Sequence, residues 1–432
     1  MRILFISASP IRKEISIGST FLNLFSEIND VELASICTRT GTPDQAVSRC
    51  FCITDKMLVR NLLGQGAAGV ELDCSASASS GNTPAVESDA VRFAKKKRWS
   101  IFFWMQNALW RIGRWKNKGL REFIEDYKPD IIFTVLSEKI FLNRIICYVK
   151  KVSNAKLMVY AWDNNYSMKR LSFSPFDWIG HMANRHHMRR VVKKADKLYV
   201  ISDVQKTDYE KAFRKPCTVI TKFADFTDGP FVKTAYGSPL QLVYTGNLYA
   251  NRWKTLAMIV RTLQTVNQGG TKAELRIYSG SLITDSMRKA LHVPGASYLM
   301  GSVSSQEVLR IQSEADMLVH VEATDLKNRL AVRQSFSTKI VDYLKSSRPI
   351  LAVGPRSVAS IKHLDEHQCA IIAENEQELL EKLTSIMDNK DELDRLVERA
   401  YACGRQCHQK QDILSVLCDD LARLTDGERS IS

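Results

Sequence analysis

The sequence predicts an α/β chain of two doubly wound, parallel-sheet domains, and three observations carry that prediction. Short apolar runs of strand length alternate with segments of helical period, which is the mark of β-α units. The alternation stops at 227–239 (TDGPFVKTAYGSP), where Gly and Pro cluster, and then restarts. A chain of 432 residues, 45% hydrophobic, can fill a core in each of two to three domains.

In the first half the expected strands are 2–7, 31–37, 130–135, 156–162, 197–201 and 218–220, each an apolar run flanked by polar or turn-forming residues. In the second half they are 241–244, 274–278, 297–300, 317–321, 349–353 and 369–372, with helices over 252–267, 304–314, 337–346 and 375–388. Beyond 390 the pattern is purely helical to about 424. The domains are therefore expected over 1–228 and 238–400, with a helical segment over 401–432 that has the length to cross back onto the first domain. Residues 74–84 (CSASASSGNTP) read as a surface loop.

Composition excludes several classes. The hydrophobic fraction is too high for intrinsic disorder, and no run of 18 apolar residues offers a spanning helix. The start MRILFISASP has one basic residue and no small-x-small cleavage pattern, so no secretory leader is expected and the expected location is the cytoplasm. Ten cysteines are scattered and none forms Cys-x-x-Cys. Cys403, Cys407 and His408 have the nearest metal-like spacing, but the sequence shows no second pair beside them, and no metal is expected.

The net charge of +14 is unevenly placed. Residues 1–230 hold 36 basic and 23 acidic side chains, whereas 231–432 hold 25 and 24. Within the first half, 92–118 carries nine basic residues, no acid and four of the seven Trp. Lys95, Lys96, Lys97, Arg98, Trp99, Trp104, Trp110 and Trp115 are the residues that would meet an anionic bilayer, with rings at the headgroup boundary and cations on phosphates. A core-packed helix with a solvated basic rim stays open as a second reading, and nucleic acid as a third.

The most specific block is Ser335-Phe336-Ser337-Thr338-Lys339-Ile340-Val341-Asp342-Tyr343-Leu344. Ser337 or Thr338 suits a helix N-cap, whose free N–H groups favour an anion. Lys339 in the first turn opposes the helix dipole and calls for an anionic partner. Asp342 is placed to accept hydrogen bonds from a sugar diol. The alternative is an ordinary capped amphipathic helix. Other strand-end loops fit the same cleft: Gly246 and Asn247 with Arg252 and Lys254, Ser279 and Gly280, and Gly301 with Val303. In the first half, Gly18 and Ser19 open a helix after the first strand, a candidate acceptor or phosphate loop, and Asp163 ends a strand.

The Lys339–Leu344 block, followed by a short turn and Pro349-Ile350, resembles the donor-binding helix of GT-B glycosyltransferases close to family 4, and Tyr244-Thr245-Gly246-Asn247 resembles the start of their second domain. The resemblance implies two Rossmann-like domains facing across a cleft, with an enzyme that transfers a sugar from a nucleotide-sugar donor, with retention of configuration, to a lipid-linked saccharide acceptor in bacterial surface polysaccharide (capsule) synthesis. It further implies no required cofactor; the basic, Trp-rich stretch points to peripheral attachment to the inner membrane rather than to a nucleic-acid partner. Under it, Arg252 and Lys339 bind diphosphate, Asp342 the ribose, and the Gly301–Val303 backbone the base. One departure is Gln334, eight residues before Asp342, where many members carry Glu; Glu322, or Asp163 on the acceptor side, would then supply a catalytic carboxylate. A nucleotide-sugar epimerase on the same fold and a non-catalytic nucleotide-sugar or membrane-binding subunit are the competing readings.

Overall fold

A computed structural model describes residues 1–12, 16–28, 30–72, 99–387 and 389–426. The first sheet is built from β1 (Arg2–Ser7), β2 (Glu32–Cys37), β3 (Val47–Cys52), β4 (Val70–Leu72), β5 (Ile131–Val135), β6 (Lys156–Ala161), β7 (Lys197–Val200) and β8 (Thr218–Val219), in the order β4-β3-β2-β1-β5-β6-β7-β8. Only the β3–β4 pairing is antiparallel. The helices of this half are α1 (Ser16–Phe25), α2 (Asp55–Leu62), α3 (Trp99–Ile112), α4 (Lys118–Tyr127), α5 (Ile140–Ser153), α6 (Pro175–Lys194) and α7 (Asp203–Phe213). Strands β3 and β4 are additions to the sequence expectation, because VSRCFC and VEL are too short and mixed to stand out from their flanks.

The second sheet is parallel and contains β9 (Leu240–Thr245), β10 (Ala273–Tyr278), β11 (Ser297–Gly301), β12 (Met317–Val321), β13 (Ile350–Val353) and β14 (Ile371–Ala373), in the order β11-β10-β9-β12-β13-β14. Its helices are α8 (Arg252–Val266), α9 (Asp285–Leu291), α10 (Ser305–Glu314), α11 (Leu326–Val332), α12 (Lys339–Lys345), α13 (Ala359–Glu366) and α14 (Glu376–Met387). Helices α15 (Lys390–Cys407) and α16 (Lys410–Asp426) follow. Each sheet is apolar on both faces, as parallel strands covered by helices must be; Ile3, Leu4, Phe5 and Ile6 of β1 are all fully buried.

Among the described residues, the linker and the last helix both tie the halves together. The segment between the sheets is strapped to the second one: Lys233 pairs with Asp316, the Arg348 guanidinium donates to the Phe231 carbonyl, and the Tyr401 hydroxyl accepts from the Gly229 N–H. Helix α16 lies against the first domain. Asp420 there accepts from Lys197 Nζ and from the Tyr199 hydroxyl at 2.8 and 2.9 Å, and Leu417 and Leu421 share an apolar cluster with Ile3, Phe25 and Tyr199.

The basic, Trp-rich stretch behaves differently from the membrane expectation. Lys95, Lys96, Lys97 and Arg98 lie outside the described residues, as does the side chain of Trp99. Trp110 and Trp115 do not face outward. Trp110 is fully buried, stacks on Phe141 at 4.4 Å and donates its indole N–H to Asp55 at 2.6 Å; Trp115 donates to the Trp110 carbonyl. An indole with a buried partner for its N–H and a stacked neighbour is core material, so for these two rings the core-packed reading is correct. Trp104, in contrast, is on the surface.

Replacing Trp110 with Ala is expected to cost about 3–5 kcal/mol of stability, measured by denaturant unfolding; a loss under about 0.5 kcal/mol would return the ring to the surface.

Candidate active site

In an open parallel sheet, strands on either side of the point where the order reverses send their connections to opposite faces, which leaves a crevice beyond their carboxyl ends. In the second sheet that point lies between β9 and β12. Beyond β9 stands Gly246, and beyond β12 stands Glu322. Only 2% of the Glu322 side chain is exposed. The Arg252 guanidinium, from the first residue of α8, donates to both of its oxygens at 3.0–3.1 Å, and its other arm donates to Asn247 Oδ1 at 3.1 Å. Burial pushes the Glu322 carboxyl up while Arg252 and Ser360 pull it down. This corrects the expectation of Glu322 as a catalytic acid or base: a carboxylate chelated by a guanidinium and walled off from solvent holds Arg252 in place instead.

Lys339 joins this cluster from the start of α12. Its amine stands 5.5 Å over the Tyr244 ring, and burial, with Arg252 nearby, holds its pKa down to about 8. A side chain at position 246 would collide with it: a Cβ there would fall 1.9 Å from Lys339 Nζ. Gly246 is thus a glycine because Lys339 occupies the space a side chain would take. Next to these lies His320, held neutral, with its pKa down to about 3, by burial and the two cations.

Around this centre a cleft is lined by Gly246, Ser279, Gly280, Val303, Lys339 and Asp342, six residues that the sequence points to. Thr245, Tyr278 and Ser302, neighbours of those residues at the strand ends, line it as well, and so do Val308 and Gln312, which escape sequence reading. Gln312 donates to Thr245 Oγ1 at 2.8 Å, a contact between a helix and a distant strand that no local spacing announces. Gly301 takes φ +84, which turns the chain out of β11, and its carbonyl accepts from the Ser279 N–H. Lys254 is exposed and stands over the Trp253 ring, apart from these residues. Thr338 occupies the N-cap of α12 with helical backbone angles and no side-chain cap, so the predicted capping by Ser337 or Thr338 is absent.

The first domain faces this cleft with the carboxyl ends of its own strands. Asp342 Oδ1 accepts from Lys222 Nζ across the gap at 2.5 Å. Asn164 Nδ2 donates to the Leu330 carbonyl and Ser202 Oγ to the Gln334 carbonyl. Asp208 accepts from both Arg333 and the Gln334 amide. That last contact gives Gln334 a physical reason: a Glu would set a second carboxylate against Asp208, whereas an amide donates to it. Asp163, after β6, is accessible although both domains wall it, and burial with Glu138 nearby raises its pKa. Arg12 backbone atoms lie within 2.9 Å of where a Cβ on Gly18 would be, so the glycine lets that loop close over α1. The Ser19 side chain lies outside the described residues.

Comparison with known proteins is consistent with this architecture. No family model matches the chain, and no curated protein matches it by sequence. Among solved structures it is similar to HepE from Anabaena, determined in complex with UDP, with TM-score 0.63 and 11% identity over 98% of this chain and 100% of that one. It is also similar to sucrose-phosphate synthase from Thermosynechococcus elongatus (TM-score 0.61, 10% identity, 99% of each chain) and to a glycosyltransferase from Rickettsia africae (0.60, 11% identity, 98% of each). These neighbours are GT-B glycosyltransferases.

A Gly246→Ala substitution is expected to leave the chain folded and to swing Lys339 outward, so that its pKa climbs from about 8 toward 10.5 in an NMR titration of the lysine ε-carbon; an unmoved value would mean that the amine does not occupy the glycine's space. The arrangement as a whole, two doubly wound domains meeting across a cleft with a C-terminal helical segment, is the GT-B fold.

Proposed function

We propose that this chain is a glycosyltransferase that moves a sugar from a nucleotide-sugar donor to a saccharide acceptor. The observation that carries the reading is the Arg252–Lys339 pair of cations at the switch point of the second sheet, one held by Glu322 and the other admitted by Gly246. Two fixed positive charges in a desolvated crevice stabilise a departing diphosphate far better than mobile ones in water. The acceptor hydroxyl oxygen bonds to the anomeric carbon on the same face from which the bond to the phosphate oxygen breaks, and the negative charge moves onto the diphosphate between Arg252 and Lys339. Asp163 is the accessible carboxylate on the acceptor side and takes the hydroxyl proton; burial raises its pKa, the direction that makes a carboxylate a stronger base. Asp342 and the strand-end backbone at Ser279–Gly280 hold the nucleoside. Retention of configuration follows from the resemblance and is read from the anomeric signal of the product.

A lipid-linked acceptor at an anionic bilayer, as in surface polysaccharide synthesis, is the finer part of the proposal. Its support is a face of the first domain formed by α3 and α6. Trp104, Met105, Ile112, Phe176, Ile179 and Met182 are exposed there. A basic pocket opens between α5 and α6, lined by Lys116, Arg144, Lys151, Arg190 and Lys194. Exposed apolar side chains beside uncompensated cations are what a peripheral protein offers to headgroups. No helix among the described residues is long and apolar enough to cross a membrane.

Arg252→Ala and Lys339→Ala are each expected to lower turnover at least about 100-fold with the fold unchanged by circular dichroism; near-normal transfer in both would remove the donor site. Diphosphate affinity, read with UDP as probe, depends on Lys339 being charged. It should be flat below pH 8 and weaken as the pH rises above the Lys339 pKa, by up to about tenfold per unit. Lys339→Arg, always charged, should abolish that slope. Phe176→Glu with Ile179→Glu should reduce co-sedimentation with anionic liposomes, and unchanged binding would separate this face from the membrane.

A further inference from the structure

A second concentration of reactive side chains lies away from the cleft, where α13, α15 and the segment after β8 meet. His363 is within α13 and His367 caps its carboxyl end, while Cys403 and Cys407 lie one turn apart on α15. Side chains four residues apart on a helix share a face, so each helix turns two ligand groups toward the other. This overturns the sequence expectation that Cys403 and Cys407 lack a second pair; His363 and His367, some tens of residues upstream, share their i, i+4 spacing, which fits the H-x3–5-H and C-x2–4-C spacings of zinc sites.

The geometry decides what the cluster can hold. Cys403 Sγ is 3.4 Å from His363 Nε2, Cys407 Sγ is 3.5 Å from His367 Nε2, and the four ligand atoms all lie within 4.8 Å of one another. An ion bonded to nitrogen at about 2.0–2.1 Å and to sulfur at about 2.3 Å in a tetrahedron sets its ligand atoms roughly 3.3–3.8 Å apart. The two cross-helix distances already fall in that interval. Two thiolates and two imidazoles in a tetrahedral array suit zinc, whereas calcium and magnesium take oxygen ligands, and the group contains no carboxylate.

We propose that His363, His367, Cys403 and Cys407 form a structural zinc site. Four protein ligands close the coordination sphere, so the ion stabilises the fold and carries no reacting water. Binding displaces one proton from each thiol, two per ion. A shell surrounds the ligands. His408 Nε2 is 3.2 Å from the same His363 Nε2 that faces Cys403, a contact that gives way when that nitrogen takes the ion, and its Nδ1 is 2.8 Å from Thr221 Oγ1. The Phe336 ring stacks on His408 and meets His363 edge-on, 5.6 and 5.2 Å between centroids. The ion would therefore fasten α15 to α13 at the bend where the chain enters α16, behind the Ser335–Thr338 segment that leads to Lys339.

The test uses the full chain, purified without chelator from zinc-supplemented medium, with metal measured by mass spectrometry. About one zinc per chain is expected, falling below about a tenth in Cys403→Ser/Cys407→Ser. Because that variant is open to misfolding, the wild-type chain is also stripped and refilled with Co²⁺ alone, where thiolate-to-cobalt charge-transfer absorption and tetrahedral ligand-field bands are expected; His367→Ala should alter those bands. Wild-type protein with less than about a tenth of a zinc and no charge-transfer absorption overturns the site. So does zinc that survives the double substitution, or a Cys403–Cys407 disulfide in the peptide map.

Discussion

The donor half of this molecule depends on how one carboxyl group is accommodated inside it. Glu322 ends β12 at the point where the sheet reverses, and burial there opposes its charge. A buried charge is tolerated only with a partner of good geometry. Arg252 meets that demand with bonds to both oxygens, and it can do so only because α8 begins where it does, after the turn that follows β9. Gly246, Asn247 and Lys339 are then placed relative to Arg252. The cluster keeps two cations close together in a crevice, an arrangement that costs free energy until an anion enters. That cost is the physical content of a pre-organised anion site.

The two domains are held across their cleft by side chains from loops that a local reading treats as unrelated. Asp208 meets Arg333 and Gln334, Asp342 meets Lys222, and Asn164 meets a carbonyl of α11. Gln334 Oε1, Arg333 Nε and Asn164 Oδ1 are buried there without a hydrogen-bonding partner among the described residues. Unpaired buried polar atoms are uncommon and costly, and three of them lie in this seam.

How much of this is legible in sequence follows from the range of the interactions involved. Strands such as β1 and β12 are fixed by runs of local apolar residues, so periodicity finds them; β3 and β4 draw their order from neighbours in the sheet, and it does not. The Lys339 to Asp342 block is legible because the residues lie on one helix turn. Glu322 shows as a polar residue at a strand end, but its role is set by Arg252, whose approach depends on the tertiary fold. The Trp-rich stretch marks the limit of composition: Trp104 and Trp110 sit on one helix in similar company, and only the packing of α3 against α2 and α5 separates the exposed ring from the buried one. The four histidine and cysteine side chains show the same limit, since helices distant in sequence bring them together.

The crossing of α16 has a consequence for how the molecule is made. Lys197, Tyr199 and the apolar surface around Phe25 belong to the first domain, yet what covers them is Asp420, Leu417 and Leu421. Domains generally fold in order of emergence during synthesis, but here the first to emerge waits with an uncovered flank while the whole of the second is translated. Completion of the first domain and completion of the second thus become a single late event, and an unfinished chain carries its incompleteness on the surface of the domain that was made earliest.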